Sequence, residues 1–288
     1  ACFDADATCS KNYLVELEQL WTKHPDTTSC SIRYEHPLYG NDFEKNIYSG
    51  IAQYELHLRY YVEAGRFIRH PFSHQTVGSS MACSADAYLR FGGMNKNKAG
   101  EDFYFLQKII PHGNFRELNT SVVYPSPRPS YRVPFGTGRA MTKYIESKSE
   151  AYLTYNLNSF ISLKDFLQNA PTKLFTAKID EINEFLANQP KILKDYLSIN
   201  NFVRAITEIN ENTSNADSFS KRFFLWFDAF KLLKYLNYAH EFHFERQPIF
   251  CEAKKLAKII GLDVNNDCKD AKELLLRYRQ WDSNPKTQ

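Results

Sequence analysis

Apolar residues recur at helical spacing in residues 11–23 (KNYLVELEQLWTK), and the pattern predicts a first helix. A strand follows from Cys30 to Tyr34. Asp42 then reads as an N-cap for a long helix over 43–65, closed by Gly65. Thr76–Cys83 has the alternation of a strand, and Ser84–Phe91 that of a short helix ended by Gly92-Gly93. Gly100 opens a helix over 101–110, stopped by Pro111 and Gly113, and 115–124 (FRELNTSVVY) reads as one or two strands. Strands alternating with helices predict a layered, mainly parallel α/β domain. At the start of the chain, Ala1-Cys2-Phe3 running into Asp4 reads as the end of a buried strand, so residues are expected to precede Ala1.

The second half has a different texture. Ten of the eleven glycines and eight of the twelve prolines lie at or before Gly138, which leaves the rest of the chain to helices. A Pro- and Arg-rich stretch, 125–139 (PSPRPSYRVPFGTGR), divides the two. The organisation expected is therefore 1–139 as an α/β region and 140–288 as a helical region. Within the latter, Phe219, Phe223, Trp226, Phe227, Phe230, Leu233 and Leu236 form one apolar stripe and predict a single helix over about 217–239 whose stripe is core packing.

Composition narrows the function classes. Of 288 residues, 43% are hydrophobic and 24% charged, an ordinary globular mixture. The net charge of +3 comes without any basic block, which argues against nucleic acid as a partner. No run of 18 apolar residues spans a membrane, so no transmembrane segment is expected. Cys2, Cys9, Cys30, Cys83, Cys251 and Cys268 contain no CxxC pair and read as reduced thiols of a cytoplasmic protein.

Three groups of residues carry chemistry. In Phe3-Asp4-Ala5-Asp6, two carboxylates two apart at a strand end point to one side, where both can reach a hard divalent cation such as Mg²⁺ or Mn²⁺. Taken alone, the motif also fits a solvated turn. In Gly78–Gly93, a strand and short helix run into a double glycine, which permits a tight turn or close backbone approach to a ligand. In Gly100-Glu101-Asp102, two acids open a helix. They complement its dipole, and a carboxylate there is also a plausible general base for an alcohol.

In this order and spacing, Asp4-Ala5-Asp6, Gly78–Gly93 and Gly100–Leu106 resemble the inverting glycosyltransferase family 2, whose fold is GT-A, a Rossmann-like layered α/β domain. The resemblance covers residues 1 to about 140 and implies a domain lacking its N-terminal nucleotide-binding part, followed by an all-helical C-terminal region. It implies a nucleotide-diphosphate sugar as donor and a glycan or lipid-linked acceptor. Mn²⁺ or Mg²⁺ would be held by Asp6 directly with Asp4 beside it. Asp102 would be the catalytic base. Glu101 would line the acceptor pocket, with Gly93 at the substrate turn. Arg132 and Arg139, beyond the core sheet, would pair with phosphate or close over the donor, and His74 is a further metal candidate. The Gln-x-x-Arg-Trp motif of processive members is missing, which favours addition of single sugars. A lipid-linked acceptor would place the enzyme at the inner face of a membrane.

Two alternatives stand beside this reading. Asp4-Ala5-Asp6-Ala7-Thr8 fits the Asp-x-Asp-x-Thr motif of a HAD-type phosphatase literally, although polar Cys9-Ser10-Lys11-Asn12 follows where apolar residues belong. A non-catalytic binding or scaffold protein derived from a transferase is the other. Residues 140–288 hold no motif of their own; shaping the acceptor site, self-association or docking on a partner are the roles expected of them.

Overall fold

The structure, a computed structural model, describes residues 1–95, 100–147, 151–264 and 268–283. It is mixed α/β and divides into two compact units. The first unit comprises residues 1–60, 74–153 and 248–288; the second comprises 61–73 and 154–247. The division expected at 139/140 differs from this one. Residues 140–153 and 248–288 belong with the first unit, and the second is inserted into it.

The first unit is built on a sheet of β1 (Thr8–Cys9), β2 (Ser29–Tyr34), β3 (Met81–Cys83) and β4 (Phe115–Tyr124), in the order β1-β4-β2-β3. The mainly parallel sheet expected is not what forms. Only β2 and β4 run parallel, while β1–β4 and β2–β3 are antiparallel. The strand expected from Thr76 shrinks to Met81–Cys83, because Gly78 and Ser79 lie in a turn closed by Ser80 N–H donating to the Val77 carbonyl. The strand expected at the start of the chain is one bridge wide, with Cys2 N–H donating to Met81 O at 2.9 Å. One face of the sheet is covered by α1 (Tyr13–Lys23). Its Tyr13, Leu17 and Leu20, spaced i, i+4, i+7, pack on Cys30, Ile32, Leu118 and Val123.

The long helix α2 (Lys45–Phe67) starts and ends two residues later than expected. Ile47 N–H returns to the Glu44 carbonyl at its start, rather than Asp42 setting the boundary. Gly65 does not stop it. A Cβ there would lie 2.2 Å from Ser73 Oγ, so the glycine serves close packing inside the helix. Residues 45–60 of α2 count with the first unit and 61–67 with the second; further helices of the first unit are α3 (Ala85–Arg90), α4 (Glu101–Ile109) and α5 (Thr137–Ser147).

The second unit is helical: α6 (Leu157–Lys173), α7 (Ile179–Ala187), α8 (Lys191–Ile199), α9 (Phe202–Glu211), α10 (Ala216–Trp226) and α11 (Ala229–Phe242). Its core is aromatic, with Phe166 packed against Phe202, Phe223 and Phe227 at 5.5–5.9 Å between ring centroids. The single helix expected over 217–239 is two. Asp228 breaks it, its carboxylate accepting from Lys231 N–H at 2.8 Å and so capping α11. The chain then returns to the first unit as α12 (Ile249–Ile260) and α13 (Ala271–Ser283).

In the first unit, α13 is anchored by buried charge. Arg279 donates to both oxygens of Glu55, at 2.8 and 2.7 Å, and to the His36 carbonyl at 2.7 Å. Arg59 also meets Glu55, at 2.8 Å, and reaches Asp282. Burial opposes ionisation of Glu55, yet Arg59, His36 and Arg279 outweigh it and hold the carboxyl well below its usual range. No described helix is long and apolar enough to cross a membrane.

Candidate functional site

Asp4 and Asp6 are brought together by a turn, not by strand alternation, since Ala7 N–H donates to the Asp4 carbonyl at 3.0 Å. The Asp4 carboxyl is pushed above its ordinary range, first by burial and then by the negative charges of Asp6 and Glu101, with Arg132 opposing. Asp6 is exposed and bound by Arg128, whose Nη2 and Nε donate to Oδ2 at 2.9 and 3.1 Å. Residues up to 128 positions apart in sequence thus form one cluster: Asp4 and Asp6 at the start of the chain, Glu101 on α4, and Arg128 and Arg132 beyond β4.

Asp102 occupies the first turn of α4. Gly100, with φ +74°, starts that helix in a left-handed conformation that favours glycine. Asp102 Oδ1 accepts from Phe103 N–H at 2.7 Å, and the backbone N–H of Gly78 also bonds the carboxylate. Gly78 can approach because it has no side chain, as a Cβ would fall 2.5 Å from Asp102 Oδ2. Burial raises the Asp102 pKa above the carboxylate norm. The Phe103 N–H opposes the shift, and Glu101 adds to it. Cys2 lies within electrostatic range of both Asp102 and Asp4, which links the two acid groups through the bridge to Met81.

The 125–139 stretch is not a free linker. Ser130 N–H donates to the Gly138 carbonyl at 2.9 Å and closes the segment into a loop. From that loop Arg128 takes Asp6 and Arg132 faces Asp4. Phe135 lies against Gly100, whose Cβ, if present, would sit 2.8 Å from its ring. The side chain of Thr137, at the start of α5, bonds the buried Tyr54 hydroxyl of α2, which is also within range of the Asp102 charge.

Other expected residues lie elsewhere. Arg139 faces Glu146, at 3.8 Å, and the Tyr131 ring, and it is Arg128 that reaches Asp6. Gly93, φ +65°, completes the C-terminal turn of α3 by donating to the Tyr88 carbonyl at 2.8 Å, and the Tyr88 ring covers it. His74 is paired with Glu117 at 2.8 Å and packs on Phe115.

The donor set can be weighed against a divalent cation. Among the described residues no three His, Cys, Asp or Glu side chains are placed to hold a metal by themselves. Two carboxylates that repel one another beside a third do fit a cation shared with substrate phosphates, the usual way Mg²⁺ is bound. Sequence reasoning missed Arg128, Gly78 as the support of Asp102, and Phe135. All three lay inside stretches already singled out, 125–139 and Gly78–Gly93, and only their contacts in the fold tell them apart from their neighbours. Compared with protein-family models, curated proteins and solved structures, the chain matches none.

Proposed function

We propose that this chain works as the metal- and acceptor-side part of an inverting, nucleotide-sugar-dependent glycosyltransferase with a GT-A-like catalytic region. The observation that supports the reading best is the loop from Arg128 to Gly138, which sets two guanidinium groups against Asp4 and Asp6 beside Asp102, a carboxylate of raised pKa. Guanidinium pairs of this kind receive phosphate charge.

In the proposed reaction Asp102 takes the proton of an acceptor hydroxyl. The freed oxygen attacks the anomeric carbon of the donor, the bond from that carbon to the diphosphate breaks, and the configuration inverts. Arg128 and Arg132 receive charge developing on the leaving diphosphate. Asp4 and Asp6 would hold Mn²⁺ or Mg²⁺, which supplies Lewis-acid neutralisation of that charge when bound. Glu101 would fix an acceptor hydroxyl. The phosphatase reading is disfavoured, since the later acids it needs at the end of a buried strand lie instead on the first turn of α4.

The test is calorimetry with a panel of nucleotide-diphosphate sugars and Mn²⁺, followed by transfer assays. Asp102→Asn is expected to cut turnover roughly 10²- to 10⁴-fold with donor affinity nearly unchanged. Loss of donor binding in that variant would contradict the base role, and absence of donor binding by the parent chain would favour the scaffold alternative.

A further inference from the structure

A second concavity lies in the first unit, built from residues outside the acid cluster. It encloses about 690 Å³, within the size range of small-molecule sites. Tyr39, Tyr48 and Phe250 contribute rings to its lining, and Lys45 and Lys272 contribute cations. Among the described residues, neither ammonium has an ion pair or hydrogen bond. Lys272 only overhangs the Tyr39 ring at 5.6 Å. The lining also holds one acid, Asp270, which caps α13 by accepting from Glu273 N–H at 2.8 Å and whose single charge is outnumbered by the two ammonium groups. Three helices also begin at this rim, α2 at Lys45, α12 at Ile249 and α13 at Ala271, so their dipoles reinforce the positive field of the two lysines.

We propose that this cavity binds a small aromatic phosphate ester, its flat ring against Tyr39, Tyr48 and Phe250 and its phosphoryl group between Lys45 and Lys272. Aromatic walls exclude a bare inorganic anion as the best occupant, because rings left wet gain nothing from it. The two ammonium groups at the rim favour an anionic over a neutral aromatic ligand. The site shares no residue with the proposed transfer chemistry and stands whether or not that reading holds.

Cys251 lines the cavity and is exposed; Cys9 is exposed elsewhere, at β1. This permits a local readout. Alkylation of both thiols by a maleimide is followed by peptide mass spectrometry with phenyl phosphate present. At ten times its Kd, phenyl phosphate should slow labelling of Cys251 about ten-fold by mass action and leave Cys9 unchanged. Inorganic phosphate and phenol, each alone, should protect far less. A uridine 5′-monophosphate arm distinguishes a nucleotide source, if it protects at lower concentration, from a simple aryl phosphate. Lys45→Glu with Lys272→Glu should abolish protection, with an unchanged thermal melt to confirm folding, and Asp102→Asn should leave it intact. No protection at Cys251, protection that survives the two lysine changes, or equal protection by phenol would overturn the assignment.

Discussion

Asp102 is held by geometry that acts on its proton. Burial raises its pKa, the N–H of Phe103 restrains the rise, and Glu101 adds to it. The acid limb of the pH–rate profile should therefore lie above the usual carboxylate range. Glu101→Gln removes one raising charge, so the limb should move to lower pH, by an amount read directly from kcat/KM against pH. A limb that stays in place would mean that Asp102 is not the titrating base. The acids themselves were legible in the sequence as Gly100-Glu101-Asp102. Their support was not, because the value of Gly78 depends on a carboxylate 24 positions later approaching its bare Cα. Arg128 and Arg139 look alike in sequence, yet in the fold Arg128 reaches Asp6 while Arg139, on α5, faces Glu146.

At the scale of elements, local patterning predicted most helices of the first half, and their errors have physical causes. Gly65 has the residue type of a helix stop, yet it continues α2 because Ser73 packs against it. The stripe from Phe219 to Leu236 has unbroken helical spacing, yet Asp228 caps a new helix within it. Strand pairing was the least legible feature, since parallel or antiparallel direction is set by contacts between distant segments. A sharper consequence concerns Glu55 on α2. Its partners Arg59 and Arg279 are both buried, and Glu55→Gln leaves them only their outer carboxylates, Asp282 and, at 3.4 Å, Glu35. The expected cost is at most about 3–5 kcal/mol, measured by urea unfolding at neutral pH. Because the Glu55 pKa is lowered in the folded state, its contribution is full above the unfolded value, about 4.3, and is lost as pH falls through the lower folded pKa. The difference between parent and variant should therefore shrink only below about pH 4.

For the whole chain, the units of packing do not follow the change in composition at 139/140. Glycine and proline density marks where loops stop, not where a core ends, and the chain continues to build the first unit after that point. The ring of Tyr144 on α5 lies against Gly50 of α2, where a Cβ would be 2.6 Å away. Gln53 of α2 donates to the Tyr144 hydroxyl at 3.1 Å. Arg279 and Asp282 of α13 complete the charge cluster of Glu55 and Arg59. A fragment of residues 1–139 would lack all of these, leaving Arg59 and Glu55 without Arg279 and Asp282 and the α2 surface at Gly50 bare. Such a fragment should lack a cooperative unfolding transition and a dispersed amide spectrum, although it contains every residue assigned to the acid cluster. If it instead melts cooperatively and keeps the Asp6–Arg128 pairing, then residues 140–153 and 248–288 are not needed by that core and the boundary read from composition is the physical one.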